Sequence, residues 1–467
     1  MFMGAVEATI VATAMPTIVG SLGGFHLFGW VFGIYVLAQS VTIPIYGRLA
    51  DLYGRKRIFY ASAALFLIGS TLAGFATDMG MLIVFRALQG IGAGGAVPVA
   101  NTIIGDIYEA EDRARMQGYL GTIWGGAAVV GPVLGAFLIA NLSWATVFWV
   151  NIPVGLFAIA VLGWSLQERL APRQHSIDYA GSLLLMAGTG ALMIAFIDWV
   201  RLGPLIVTGL AVAAVLMLGL LLRHERRVAE PMLPLDLWRN RVVAASLTGA
   251  FAIGAVMMSV TAYVPTYVQG VMGRSPLVAG AALTALSVGW TTSGAVVGKV
   301  MLRSSYRWMA VWGGAMLLAG SIVLVLLNPA RGPVWAGAGS FLIGLGMGFS
   351  NTTFLVAAQS SVAWNRRGIA TSLSIFTRQF GAALGAAVAG GLVNGALGQA
   401  SNTNALVDRL MEPGLRAALP PGELAQLVGL VAGALHGVYV LAAVVGLVAL
   451  LLAFALPAGL NPSRQSN

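Results

Sequence analysis

Apolar residues in this chain come in unbroken runs of about twenty, not in strand-like alternation, and short stretches of Gly, Pro, Asp and Arg separate them. Fourteen runs are legible, at 1–20, 28–50, 57–76, 80–105, 115–140, 145–166, 178–198, 203–222, 242–269, 276–301, 306–327, 333–360, 368–394 and 428–456. A helix of about twenty apolar residues crosses the hydrocarbon of a bilayer, so the pattern predicts an all-α polytopic membrane protein. The ten-residue alternation of an outer-membrane barrel is not seen. Two polar stretches, 167–177 and 223–241, divide the runs into six, two and six. That predicts an N-terminal six-helix bundle over 1–166, two inserted helices with their linkers over 167–241, and a C-terminal six-helix bundle over 242–467. A longer polar segment, 395–427, contains Pro420–Pro421 and reads as a surface loop with one short amphipathic helix. No cleavable signal peptide is recognisable. The first run starts at Met1 with no polar leader, as an internal or truncated start would.

Composition narrows the class. The 467 residues are 58% hydrophobic and 9% charged, with mean hydropathy +0.87, whereas soluble domains carry about 25% charged residues. A soluble enzyme and a disordered chain are excluded. The absence of cysteine excludes a disulfide scaffold and thiolate metal sites. A net charge of +10 would suggest nucleic acid if it formed a surface patch, but its location argues otherwise. Nineteen of the 26 basic residues fall in loops after even-numbered runs and five in loops after odd-numbered runs. Arg86 and Arg378 lie within runs. By the positive-inside rule, the even loops and both termini are cytoplasmic. The excess of Arg over Lys, 24 to 2, reads as genome base composition.

Ionisable groups at membrane depth are costly, and each is a functional hypothesis. Glu7, Arg86, Arg378 and His436 are the cases. Burial favours the protonated form of a carboxylate, so Glu7, in VEATIVATAMP, is the expected proton carrier; the alternative is a static ion-pair partner. Arg86, in LIVFRALQGIGAGG, serves either to tune such a carboxylate or as a hydrogen-bond hub for backbone carbonyls. Arg378 receives the same two readings, and His436 reads as packing. In the first cytoplasmic loop, GRLADLYGRKR sets Asp51 among Arg55, Lys56 and Arg57, and the next even loop, GDIYEAEDRAR, offers Asp106 and Arg113. An acid embedded among bases suits a charge latch between bundles more than a purely topogenic signal. In GTIWGGAAVVGPVLGAF, Gly121, Gly125, Gly126, Gly131 and Gly135 permit close helix approach, and Pro132 favours a bend, which predicts a hinge helix. The Gly90-x-Gly92-x-x-Gly95 triplet lacks the strand of a dinucleotide fingerprint and reads as packing. No nucleotide loop or HExxH zinc signature is present.

These motifs together resemble the fourteen-helix drug:proton antiporters of the major facilitator superfamily. The similarity runs from Glu7 to about residue 456 and rests on EATIVATAMP, GRLADLYGRKR, FRALQGIGAGG, GPVLGAF and WATVFWVNIPVG, with GLGMGFSNTTFLVAAQ and IATSLSIFTRQFGAALG in the second half. It implies two six-helix bundles with two inserted helices, proton coupling through Glu7 and Arg86, and substrate bound near mid-membrane between the bundles. Gln89, Gln359, Arg378 and Gln379 are the candidate substrate contacts. Three departures are visible. The first-helix acid is Glu in place of the usual Asp, Ala145 stands where an Arg is common, and spans 9 to 14 hold none of the carboxylates that some exporters of divalent cationic drugs carry.

The expected function is proton-driven export of hydrophobic or amphipathic compounds such as drugs, dyes or biocides, from a bacterial cell membrane. Export of a lipid, siderophore or other metabolite is the alternative cargo on the same fold. No cofactor beyond the proton gradient is called for. The partners are small apolar or amphipathic substrates, protons and the bilayer, with no nucleic acid and no second copy of the chain. A membrane-embedded enzyme would need a nucleophile–base pair or metal cluster at depth, and the sequence offers neither.

Overall fold

The computed structural model describes residues 2–107, 110–165, 178–228, 231–301, 304–398, 401–456 and 458. Among these the chain is helical with no strands. The helices are α1 (Phe2–Leu22), α2 (Phe28–Tyr53), α3 (Arg55–Ala73), α4 (Met79–Ile107), α5 (Ala110–Asn141), α6 (Thr146–Trp149), α7 (Asn151–Ser165), α8 (Tyr179–Ile197) and α9 (Trp199–Glu225). After them come α10 (Arg241–Thr266), α11 (Pro276–Met301), α12 (Tyr306–Val325), α13 (Gly332–Ser360), α14 (Arg367–Leu397), α15 (Ser401–Met411), α16 (Pro413–Ala417) and α17 (Pro421–Phe454). Twelve spans among the described residues are long and apolar enough to cross a membrane. Two of the fourteen expected runs fall outside that set. Helix α3 opens on three basic residues, Arg55 to Arg57, and the apolar described part of α5, Gly125–Asn141, is shorter.

Helices α1 to α7 pack among themselves, as do α10 to α17, and two helix pairs, α2 with α14 and α5 with α11, form most of the seam between the groups. Small residues set these distances. A Cβ on Gly90 would strike the Tyr35 carbonyl of α2, and one on Gly92 would strike the Phe66 amide of α3. The GxGxxG triplet is therefore a packing surface of α4, as the missing strand indicated. The α8–α9 pair sits across the seam. Trp30 Nε1 donates to Asp198 at 3.1 Å and Trp199 Nε1 to the Gly391 carbonyl at 3.0 Å. Asn394 Nδ2 bridges the carbonyls of His26 and Ile197.

Helix α5 is continuous through Pro132, and α9 is interrupted at Gly203, with φ 75° and ψ 163°, just before Pro204. A positive φ of this kind is open to glycine at little cost. The last long helix begins at Pro421, not near 428, because a proline in the first turn gives up no helical hydrogen bond. The run 145–166 is broken into α6 and α7, with Asn151 opening the second piece.

The polar 395–427 segment is more than a surface loop. It holds the amphipathic helix α15, which packs on α1 and α17. Asp408 accepts from the Gly24 and Phe25 amides, both at 3.0 Å. Arg416 donates to the Gly270 carbonyl at the end of α10. At this same end Gln269 Nε2 reaches the Thr13 carbonyl at 3.0 Å, and the Phe28 and Tyr263 rings meet at 5.0 Å. The seam is thus closed at the end opposite the Arg-rich loops.

At the basic end, Asp236 and Arg366 pair at 2.5 Å and tie the linker before α10 to the α13–α14 turn. The Arg366 guanidinium holds the Asp236 carboxyl below its usual range. Depression of an acid's folded-state value adds stability at neutral pH that is lost as pH falls through that value. The pair is exposed, so the effect is small. Asp236→Asn should lower the melting temperature slightly and by a constant amount from pH 8 to about pH 4, with the gap closing below that. A gap closing between pH 8 and 6 would assign the effect to another group.

Candidate functional site

The membrane-depth charges converge in the first helix group. Glu7 on α1 is 0% exposed and Arg86 on α4 is 2% exposed, and the two form an ion pair through Glu7 Oε1 and Arg86 Nη1. Asn151 Nδ2, at the start of α7, donates to the other carboxylate oxygen at 2.7 Å. Arg86 Nη1 also donates to Gln89 Oε1 at 2.7 Å, and its Nε approaches the Val31 carbonyl at 3.4 Å. Its guanidinium carbon lies 4.0 Å from the centre of the Tyr35 ring on α2, within cation–π range. Ser70 Oγ on α3 closes the set. It accepts from Gln89 Nε2 and Asn151 Nδ2, both at 3.1 Å, and donates to the Phe148 carbonyl at 2.8 Å.

Six helices therefore supply one enclosed network. Local sequence explains how each side chain arrives. The α4 glycines let that helix approach α2 and α3 closely enough for Arg86 and Gln89 to reach inward. The α6–α7 break frees Asn151 from mid-helix, and Pro153 in the next turn needs no amide partner. On α1, Thr9 and Thr13 turn their hydroxyls back onto the Val6 and Thr9 carbonyls, leaving Glu7 as the helix's buried charge. Gly131 and Gly135 bring α5 against this stretch; a Cβ on Gly131 would strike Thr9 Oγ1 and one on Gly135 would lie 2.8 Å from Ile10 Cγ1.

The other expected site residues are distributed differently. Gln89, expected at the substrate pocket, is 0% exposed and belongs to the Arg86 network. Gln359 Nε2 donates to Thr371 Oγ1 at 2.7 Å, joining α13 to α14. Gln379 Nε2 donates to Gln39 Oε1 at 2.9 Å across the seam from α14 to α2. Arg378, one residue earlier, makes no side-chain hydrogen bond or ion pair with any described residue. His436 stands between the Ala432 and Leu327 carbonyls, at 2.7 and 2.8 Å. Asp51 and Arg55 pair at 3.3 Å, joining the end of α2 to the start of α3. The side chains of Asp106 and Arg113 lie outside the described residues. Asn151, Ser70 and Tyr35 were not singled out from sequence; a polar Asn inside the apolar VFWVNIPVG run was the available signal.

A cavity of about 420 Å³ adjoins the network within the first group. Tyr35 and Gln39 of α2, Phe66 of α3, Ala93 and Val97 of α4 and Phe157 of α7 are among its walls, and no charged side chain is. Among the described residues no cluster of three or more His, Cys, Asp or Glu is arranged to hold a metal ion.

Comparison with known proteins agrees with this architecture. Residues 1–386 match the Major Facilitator Superfamily. "Multidrug resistance protein 3" of Bacillus subtilis (strain 168) is 34% identical over 84% of this chain and 77% of its own length. "Multidrug transporter protein MdtP" of the same organism is 31% identical over 88% and 76%. A bacterial homologue of the human lysosomal transporter Spinster, in an inward-facing and occupied conformation, shares the fold with a TM-score of 0.65 at 17% identity, over 97% of this chain and 93% of that one.

Proposed function

The chain belongs to the major facilitator superfamily, and from that membership we propose that it is a proton-coupled antiporter exporting hydrophobic and amphipathic small molecules by alternating access. The observation that carries the proton-coupling part is the enclosed carboxylate of Glu7, held by a cation that has other partners available. When Glu7 is ionised, Arg86 neutralises it. When Glu7 takes a proton the attraction ends, and Arg86 keeps Gln89, the Val31 carbonyl and the Tyr35 ring. Both protonation states are thus tolerated inside the protein, as a group that loads and releases a proton in each cycle requires. The names of the Bacillus relatives support small-molecule efflux as the direction and cargo class.

In this reading α3 and α5 complete fourteen spans, residues 1–166 and 242–467 form the two rocking bundles, and α8–α9 are the insertion. The positive loops face the cytoplasm of a bacterial cell. The closed seam is then the external one, and the cavity side opens inward. One proton entering down 100 mV supplies about 2.3 kcal/mol, enough for a cargo ratio of nearly fifty.

Reconstituted protein in liposomes tests this with one lipophilic cation, ethidium, and one lipophilic acid, cholate. Under an imposed pH gradient at least one should move against its own gradient, and a protonophore should collapse the movement. Folded protein that moves neither would contradict the proposal. The Asp51–Arg55 pair serves in this scheme as part of a cytoplasmic latch. Asp51→Asn should slow turnover several-fold with the cargo range unchanged; an altered range at normal rate would remove the latch role.

A further inference from the structure

Helices α10 to α14 carry no negative charge. Not one of the chain's 16 Asp and Glu residues falls between 237 and 407, a stretch that contains α10 to α14 whole. Arg378 lies in the middle of α14 and is partly buried. Its guanidinium has no hydrogen-bonding or ionic partner among the described residues, whereas Arg86, the other arginine at this depth, is saturated with them. An unpaired cation in such a place is expensive to keep, and the cost is recovered when a ligand supplies the opposite charge.

The neighbourhood agrees. Eleven residues earlier on the same helical face stands Arg367, near the basic end, whose guanidinium lies 4.6 Å from the Trp364 ring centre. Its Nε is buried without a hydrogen-bond partner. Thr371 lies between them, presenting its hydroxyl to Gln359. Phe376 and Phe380, which stack at 5.9 Å, leave α14 on the side opposite Arg378, and Phe380 meets Phe251 of α10 at 6.1 Å. A basic end group, a polar step and a central arginine thus share one face of α14, a track suited to the acidic head of a cargo whose apolar body partitions into the membrane domain.

We propose that Arg378 is the anion-recognition residue of the transport pathway, and that the cargo class is amphipathic organic acids. The planar guanidinium fork matches a carboxylate, and Arg367 draws the same group inward from the basic end. This inference rests on the export reading for its physiological meaning, but it is tested by equilibrium binding, with no gradient and no transport.

The probes are tritiated cholate and its uncharged methyl ester, applied below micellar concentration to the full chain in nanodiscs. Wild type should bind cholate about tenfold tighter than the ester, as expected for a charge-assisted contact, although the ester partitions better into apolar surroundings. Arg378→Gln should remove most of that preference by weakening cholate alone, and Arg378→Lys should restore part of it. Equal or tighter binding of the ester by wild type would overturn the proposal, and this arm does not depend on the folding of any variant. So would Arg378→Gln protein, monodisperse by size exclusion, that keeps the preference or loses both ligands alike. A failure of proton-driven movement with the cholate preference intact would count against the antiport mechanism and leave this site standing.

Discussion

Replacing Glu7 with Gln should abolish concentrative transport while leaving cargo binding and downhill exchange largely intact. The substitution keeps the size of the side chain and its contact with Asn151, but fixes it in a neutral form that can neither take up nor release a proton. Arg86 retains Gln89 and the Val31 carbonyl, so the fold is not left with an unsupported cation. Accumulation against a gradient should fall to the level of empty liposomes, a loss of up to about fiftyfold at 100 mV, since removal of the coupling group removes the driving force and not a mere part of the rate. Full concentrative transport by the Gln variant would assign proton coupling to another residue.

The second large effect is on stability. Arg86→Gln leaves the Glu7 carboxylate enclosed without its counter-charge, and breaking a buried pair from one side costs about 3–5 kcal/mol. The melting temperature of the purified protein should fall sharply. In a Glu7→Gln background the same Arg86→Gln change should cost much less, because no carboxylate is left to strand. The difference between the two costs is the coupling energy of the pair. Equal costs in both backgrounds would mean that Arg86 acts through Gln89 and the Tyr35 ring, and not through Glu7.

Much of this arrangement was legible before any coordinates. Runs of apolar residues gave the helices and nearly all their limits, because a bilayer imposes length and composition together. Glu7 and Arg86 stood out for the cost of burying charge. Their meeting was not readable from residues 79 positions apart; it depends on how α4 packs beside α1, which no local pattern dictates. Asn151 and Ser70 escaped notice because single polar residues inside spans are common and gain significance only from a partner. Gln89 was misplaced for a related reason, since a glutamine one turn from an arginine can face a cavity or fold back onto it. The interruption at Gly203–Pro204 in α9, where Gly203 adopts a positive φ, was not readable from the sequence.

The segment between α14 and α17 shows a similar limit. Its low hydropathy set it apart from the apolar runs, and the pattern allowed the amphipathic helix α15. Only the fold places Asp408 beneath the Gly24 and Phe25 amides, where burial raises its carboxyl above the ordinary range against the pull of those two donors.

The central claim, that Glu7 carries the coupled proton, is tested most directly by reading the proton itself. Liposomes loaded with the pH dye pyranine and with cholate would be diluted into cholate-free buffer at equal pH. Wild type should move protons opposite to the departing cargo, shifting the internal pH, while Glu7→Gln protein should release cargo with no shift beyond that of empty liposomes treated alike. An equal shift in both proteins would contradict the account.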